Sequence, residues 1–130
     1  MKKILFLLLL AVCFSSVQKI FAQNNDEKTV SADQPAGFKG GEAQLYDYIE
    51  QNLNYPKDAA KLNIQGKVLV NFIIEKDGSI SNVRIFQGVH ESLDNEAIRI
   101  VNNMPRWLPG KKDGQLVRSY FTLPINFILK

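Results

Sequence analysis

The sequence is poor in the residues that most often carry catalytic or metal chemistry. It has one histidine, His90, and one cysteine, Cys13, among its 130 residues. A zinc site needs several such ligands at defined spacings, and none can be built here. Cys13 also lies in the N-terminal segment interpreted below as a signal peptide, so the mature chain is expected to lack disulfides and thiol chemistry. No Ser or Cys nucleophile motif accompanies His90, which favours a solvated loop histidine over a catalytic base.

Paired catalytic carboxylates and phosphate-binding glycines are missing as well. Asp94 and Glu96 lie at the expected start of a helix, where acidic side chains favour the positive end of the helix dipole. Gly37, Gly40 and Gly41 follow no strand and precede no Lys-Ser or Lys-Thr pair, so they do not form a phosphate loop. The sequence therefore predicts no enzyme, no metal and no cofactor.

An excess of charge of either sign is missing from the expected mature chain. Lys2, Lys3 and Lys19 lie in the first 22 residues, which contain no acidic residue; removing them from 16 basic residues leaves 13 against 13 acidic ones. A nucleic-acid or anionic-membrane surface would require a basic excess on one face. The composition therefore predicts no nucleic-acid partner.

Long apolar runs are absent after the N-terminal segment. Lys2 and Lys3 precede the apolar run Ile4–Val12, and Ala22 is a small residue before a possible cut at Gln23. This order is typical of a secretory signal peptide, predicted over residues 1–22. An uncleaved inner-membrane anchor over residues 4–22 is the alternative, although a spanning helix needs roughly 20 apolar residues.

A polar segment separates this leader from one domain. Residues 23–37 have no apolar periodicity and are predicted to form a disordered linker. Pro35 is its only proline, so it is not a long proline-rich spacer. The folded domain is predicted over residues 38–130.

Two main helices are indicated by apolar residues at helical spacing. Leu45, Ile49 and Leu53 recur every fourth position, and Tyr55 followed by Pro56 ends this stripe because a residue before proline disfavours the α region. Residues 57–62 can add a short turn. The second stripe, which Ser92 or Asp94 could cap and Pro105 ends, consists of Leu93, Ala97, Ile100, Val101 and Met104.

Alternating residues indicate a hairpin between these helices. Asp77 and Gly78 predict a two-residue type I′ turn. The core face of the two strands is predicted to comprise Val68, Val70, Phe72, Ile74, Val83 and Ile85.

A last strand follows the second helix. Its core face is predicted to comprise Val117, Phe121, Leu123, Ile125, Phe127 and Leu129. Pro124 cannot donate a main-chain hydrogen bond, so it favours an edge position. The helical crossover makes this strand parallel to the second strand, on the far side of the first. The sequence thus predicts an α+β fold, with a three-stranded sheet and two helices packed on one face.

The ordered set of motifs resembles the C-terminal domain of the TonB family, in the form seen in Bacteroidetes-type members. The resemblance covers about Phe38 to Leu129. It rests on the spacing of Tyr55, Pro56, Gly66, Val68, Val70, Phe72, Asp77, Gly78, Val83, Ile85, Trp107, Pro109, Gly110, Val117, Ile125, Phe127 and Leu129.

The resemblance implies a periplasmic module that pairs with the TonB box of outer-membrane TonB-dependent receptors and contributes to energy-coupled transport. It implies an ExbB/ExbD-type motor, or another TonB-like chain, reached through an anchored partner. The last strand would bind the peptide, through Val117, Arg118, Ser119, Tyr120, Phe121, Thr122 and Leu123. From the residues alone, Arg118 is favoured as a solvated flank charge and Trp107 as a core or rim aromatic.

Two alternatives remain open from the sequence. A domain without anchor and spacer can bind a receptor peptide but cannot pull it, so it could be an accessory competitor of an anchored TonB. A structural module that dimerises through its edge strand is the other alternative, and Pro124 disfavours long self-pairing of that edge.

Overall fold

The computed structural model describes residues 34–130. The predicted signal peptide, with Cys13, and residues 23–33 of the predicted linker lie outside the described residues. Within residues 34–130 no helix is long and apolar enough to span a membrane. The helices are α1 (Glu42–Asn52), α2 (Lys57–Lys61) and α3 (Glu91–Asn102), and the strands are β1 (Gly66–Ile74), β2 (Ile80–Gln87), β3 (Gly110–Lys112), β4 (Gln115–Val117) and β5 (Ser119–Phe127).

The main sheet has three strands in the order β2, β1, β5. β1 pairs antiparallel with both neighbours, so the α+β architecture and the strand order predicted from the sequence are confirmed. The pairing of β1 with β5 is regular from Gly66 opposite Phe127 to Ile74 opposite Ser119. The pairing with β2 is interrupted by two register shifts, and Asn82 has a positive φ of 53° near one of them.

One hydrophobic core lies between the helices and one face of this sheet. The predicted β1 residues Val68, Val70, Phe72 and Ile74 are all buried. The other buried apolar residues in this cluster are Phe38, Leu45, Ile49, Ala59, Leu93, Ala97, Ile100, Val101, Trp107, Leu123, Ile125 and Phe127. The predicted helix stripes and core faces are confirmed at Leu45, Ile49, Leu93, Ala97, Ile100, Val101, Leu123, Ile125 and Phe127. Leu53, Val83, Ile85, Met104 and Phe121 are only partly buried, and Val117 and Leu129, which were predicted on the core face of the last strand, lie outside this cluster.

The two Asp-Gly pairs form different turns. Gly78 donates to the carbonyl of Glu75 (2.9 Å), and Glu75 donates to the carbonyl of Ser79 (2.8 Å), which leaves a three-residue loop. Gly78 has a φ of +86°, whereas Asp77 is not in the positive-φ region, so the predicted type I′ turn is wrong here. Asp113 (φ +52°) and Gly114 (φ +77°) instead form the two-residue turn between β3 and β4.

The start of α3 also differs from the prediction. His90, not Ser92 or Asp94, is the N-cap residue, and its Nδ1 accepts from the Ser92 N–H at 3.3 Å. Asp94 accepts from the Val89 N–H at 3.0 Å and so holds the preceding loop. Glu96 is 8% exposed, so it is a buried carboxylate with specific partners rather than a solvated helix-start charge.

The described chain is already paired at its first residues. Gln34 exchanges two backbone hydrogen bonds with Lys111 (3.1 and 2.8 Å), and Gly37 exchanges two with Leu108 (3.0 and 2.8 Å). The segment 34–37, which the sequence places in the linker, therefore extends the small β3–β4 sheet and leads directly into Phe38 of the core.

Candidate peptide-binding edge

The outer side of β5 is an edge of the main sheet. β5 pairs with β1 along its whole length and is the last strand in the order β2, β1, β5. Within residues 34–130 no strand pairs with its other side. Such an edge presents a row of main-chain donors and acceptors that another strand can bind.

The hydrogen-bond pattern indicates which β5 residues face outward. Glu75 donates to Ser79 across the hairpin, and the main-chain groups of successive residues in a strand alternate between its two sides. The main-chain N–H and C=O groups of odd-numbered β1 residues therefore face β2, and those of even-numbered β1 residues face β5. Since Phe72 lies opposite Phe121 and Val70 opposite Leu123, the intervening residues Tyr120, Thr122, Pro124 and Asn126 turn their main-chain groups to the open edge.

A groove runs between this edge and α1. Its first part has a volume of about 410 Å³ and is lined by Phe38, Leu45, Tyr46, Trp107, Leu123 and Pro124, among others. Its second part, also about 410 Å³, continues from Tyr46 and Pro124 along Ile49, Leu53 and Ile128. The two parts share Tyr46 and Pro124, so they adjoin each other along the open edge, with a lining that is mainly apolar.

An aromatic cluster supports the first part of this groove. Trp107 is 3% exposed, and its ring lies 5.4 Å from those of Phe38 and Phe72 and 4.9 Å from that of Phe121. The expectation of a core aromatic is therefore confirmed. Among buried side-chain nitrogen and oxygen atoms of residues 34–130, its Nε1 is the one without a hydrogen-bond partner, and a buried unpaired donor is costly.

The seven residues predicted to bind a partner do not lie in one strand. Val117 ends β4, where it pairs with Gly110, and Arg118 lies between β4 and β5. Ser119 begins β5, and Tyr120 is 81% exposed. Phe121 and Leu123 point towards the core. Thr122 donates from Oγ1 to Oδ1 of Asn71 on β1 at 2.7 Å.

Arg118 is held by an ion pair at the start of β5. Its Nε donates to Oε1 of Glu75 at 2.6 Å, and Ser81 donates to Oε2 of the same carboxylate at 2.6 Å. The Ser81 hydroxyl and then the Arg118 guanidinium hold the pKa of Glu75 below its ordinary value, and Glu75 raises the pKa of Arg118. Arg118 is therefore an exposed flank charge, 54% accessible as the sequence favoured, that also forms an ion pair with Glu75.

The α1 wall of the groove was missed by sequence reasoning. Leu45 and Ile49 are recognisable as core residues, but their spacing does not show that they also border the open edge. Tyr46 gives the available signal, because it lies beside this stripe and remains 43% exposed. Ala36 and Gly37 also line the groove, although their segment was assigned to the linker.

His90 and Glu96, the residues singled out from the sequence as chemically capable, have structural roles in the described part of the chain. No group of three or more His, Cys, Asp or Glu side chains within residues 34–130 could hold a metal ion. His90 is used as a helix cap, and Glu96 binds Arg99 and the Asn54 N–H. The arrangement that these residues offer is a main-chain edge beside an apolar groove.

Comparison with known proteins agrees with this architecture. No curated protein sequence is significantly similar to the chain. The NMR structure of the Helicobacter pylori TonB C-terminal domain, residues 179–285, is similar at a TM-score of 0.52 and 25% identity, covering 68% of this chain and 79% of that one. A second structure of that domain, residues 194–285, has a TM-score of 0.53 and 25% identity, covering 68% and 92%. The model of the family "Gram-negative bacterial TonB protein C-terminal" matches residues 51–129, and the chain therefore belongs to this family.

Proposed function

We propose that this domain is a peptide-binding module of energy-coupled transport, which pairs the open edge of β5 with the TonB box of an outer-membrane receptor. Membership of the TonB family supports the transport role. The observation that carries the binding mode is the open β5 edge, with Tyr120 and Thr122 directed outward beside an apolar groove. An extended peptide added to such an edge gains affinity from main-chain hydrogen bonds and specificity from alternate side chains.

The edge is preorganised for this pairing. Phe121 and Leu123 anchor β5 in the core, with the Phe121 ring 5.6 Å from that of Phe72 and 4.9 Å from that of Trp107. The Glu75–Arg118 ion pair ties the segment before β5 to the end of β1. A strand fixed in this way loses little conformational freedom on binding, which lowers the cost of association.

The proposed setting is the periplasm, with residues 1–22 removed as a signal peptide. In that setting the domain acts as a non-enzymatic binder. It reaches an ExbB/ExbD-type motor through an anchored TonB-like partner, or competes with that partner for the receptor. Residues 1–22 lie outside the described residues, so the test is chemical: mass measurement on fractionated cells is expected to find Gln23 or a close neighbour as the first residue. Intact Met1 in the inner membrane would contradict the proposal.

The test of the binding mode compares three variants. Tyr120→Pro removes an outward main-chain donor, whereas Tyr120→Ala keeps that donor and removes a side chain that is 81% exposed. Arg118→Ala removes the charge that Glu75 already binds. We expect the proline variant to lose most binding to receptor N-terminal peptides in calorimetric titrations, while the two alanine variants lose little.

Thermal melts of all three variants provide the control for folding. A folded Tyr120→Pro variant that binds as tightly as the parent would show that β5 is not the recognition edge.

The titrations, together with sedimentation, distinguish the alternative function, which is a module that dimerises through this edge. The open row of main-chain donors and acceptors favours that alternative. If the parent binds no receptor peptide and sediments as a dimer that Tyr120→Pro dissociates, the dimerising module is the correct function.

A further inference from the structure

We propose that Pro124 is a specificity-determining residue, which ends strand pairing in the middle of the β5 edge and restricts the domain to short extended peptide segments. This inference rests on the proposed function and concerns the length and register of the bound peptide. According to this proposal, the peptide pairs with Tyr120 and Thr122, and the pairing does not continue to Asn126.

The missing N–H of Pro124 falls on the open edge and not on the β1–β5 ladder. Pro124 lies opposite Leu69, an odd-numbered residue whose main-chain groups face β2. The hydrogen-bonded pairs on either side, Val70 with Leu123 and Val68 with Ile125, are therefore intact. Proline leaves the sheet complete and removes one donor from the row that a guest strand would use.

Pro124 also lies where the two parts of the groove meet, because it lines both. A guest strand that continued past Pro124 would bury one of its own carbonyls opposite the proline ring, which has no N–H to donate. Leaving a carbonyl unpaired in a partly dehydrated groove is unfavourable. Pairing therefore stops at this position, and only the carbonyl of Pro124 remains available as an acceptor.

The part of the groove before Pro124 is the better binding site. Its walls include Thr122 and the apolar side chains of Phe38, Leu45 and Trp107, and the outward main-chain groups of Tyr120 lie on the same edge, two residues before Thr122. At about 3.3 Å per residue, the edge from Tyr120 to Pro124 matches a guest segment of about five residues. The expected ligand is an extended segment of that length with apolar side chains on the groove side.

Amide hydrogen exchange on the full chain tests this directly. The probe is a ten-residue synthetic peptide from the N-terminal segment of an outer-membrane receptor, added at saturation. We expect exchange of the Tyr120 and Thr122 amides to slow by more than about tenfold, as for newly hydrogen-bonded groups, while the Asn126 amide exchanges as in the free protein. Protection of Asn126 equal to that of Thr122 would overturn the inference.

A restored donor provides the second test. Pro124→Thr returns an N–H to the edge with a strand-forming residue, and Asn126→Thr is the matched control, since it changes a side chain on the same edge without adding a donor. The ten-residue peptide is expected to bind Pro124→Thr about two- to tenfold more tightly, the equivalent of one net hydrogen bond, with Asn126 now protected. A five-residue peptide, which ends opposite Pro124 in the proposed register, is expected to gain less affinity from Pro124→Thr than the ten-residue peptide does, and to bind Asn126→Thr as it binds the parent.

The outcomes separate this inference from the proposed function. If the parent binds neither peptide, the proposed function fails. If the parent binds both and Pro124→Thr changes neither the length dependence nor the Asn126 protection, edge pairing stands and the role of Pro124 is refuted. Should Pro124→Thr fail to fold, the exchange pattern of the parent alone decides.

Discussion

At the scale of single residues, Gly78 links the β1–β2 hairpin to the segment that carries Trp107. A Cβ atom at Gly78 would lie 2.1 Å from the Trp107 carbonyl oxygen, and the φ of +86° is itself unfavourable for other residues. Its own carbonyl accepts from the Trp107 N–H at 2.8 Å. The glycine is therefore required both for the turn and for the close approach of two backbones.

Gly78→Ala is expected to destabilise the domain by about 2–4 kcal/mol, the sum of backbone strain and displacement of the Trp107 segment. Gly114→Ala is the matched control, since Gly114 also has a positive φ (+77°) but open space around a Cβ. It should lose only the strain, about 1 kcal/mol. Urea denaturation of both variants measures the difference; equal losses would mean that the contact with Trp107 contributes nothing.

At the scale of elements, a polar contact from α3 holds the end of α1. Oε2 of Glu96 accepts from the Asn54 N–H at 2.6 Å, and Arg99 donates to the Asn52 carbonyl at 2.8 Å while pairing with Glu96. The last main-chain groups of a helix need such partners. This contact therefore fixes the helix that forms one wall of the groove.

Glu96→Ala is expected to cost about 1–3 kcal/mol, because it leaves the Asn54 N–H without its acceptor in a partly buried position. The half-exposed Arg99 side chain can be rehydrated, which keeps the loss below that of a fully buried pair. Glu50→Ala, which removes a surface pair with Lys130 at 3.8 Å, is the control and should change stability by less than about 0.5 kcal/mol. Faster amide exchange in α1 of the Glu96 variant, measured by NMR, would show that the destabilisation is local to this helix. A loss of amide protection spread evenly over the sheet would contradict this prediction.

The sequence predicted the helices, the three strands of the main sheet and their order because these depend on local patterns, whereas the short β3–β4 hairpin was not predicted. Alternation in β1, the stripe of α3 and the prolines after α1 and α3 each act within a few residues. The strand order followed from a short hairpin, a helical crossover and Pro124. Each of these patterns can be recognised from residues close together in the chain, without knowledge of distant contacts.

The features that the sequence did not predict depend on residues far apart in the chain. Two identical Asp-Gly pairs form different turns, because the first packs against Trp107 and the second closes the short β3–β4 hairpin. The buried carboxylate of Glu96 accepts from the N–H of Asn54, 42 positions earlier in the chain. The pairing of Gln34 and Gly37 with the segment before β4 uses backbone groups only, so it leaves no side-chain pattern, and the groove wall that this segment forms was missed with it.

At the scale of the whole molecule, two carboxylates couple the stability of the sheet to pH. The Ser81 hydroxyl, followed by Arg118, lowers the pKa of Glu75, and Ser79 lowers the pKa of Asp77. Both groups bind protons less readily in the folded state than in the unfolded chain. Their contribution is therefore fully present above the unfolded pKa values and is lost as the pH falls through the folded ones.

Near neutral pH Glu75 and Asp77 are ionised, so the urea midpoint of the domain is expected to change little with pH. Below about pH 4 the carboxylates of the unfolded chain take up protons, and the midpoint is expected to fall.

Ser81→Ala removes the largest cause of the lowered Glu75 pKa and should make this fall shallower. Thr122→Ala is the control, because its hydroxyl binds Asn71 and neither carboxylate. A urea midpoint that rises on acidification, or a dependence of the midpoint on pH that is identical in Ser81→Ala and the parent, would show that Glu75 does not stabilise the fold in this way.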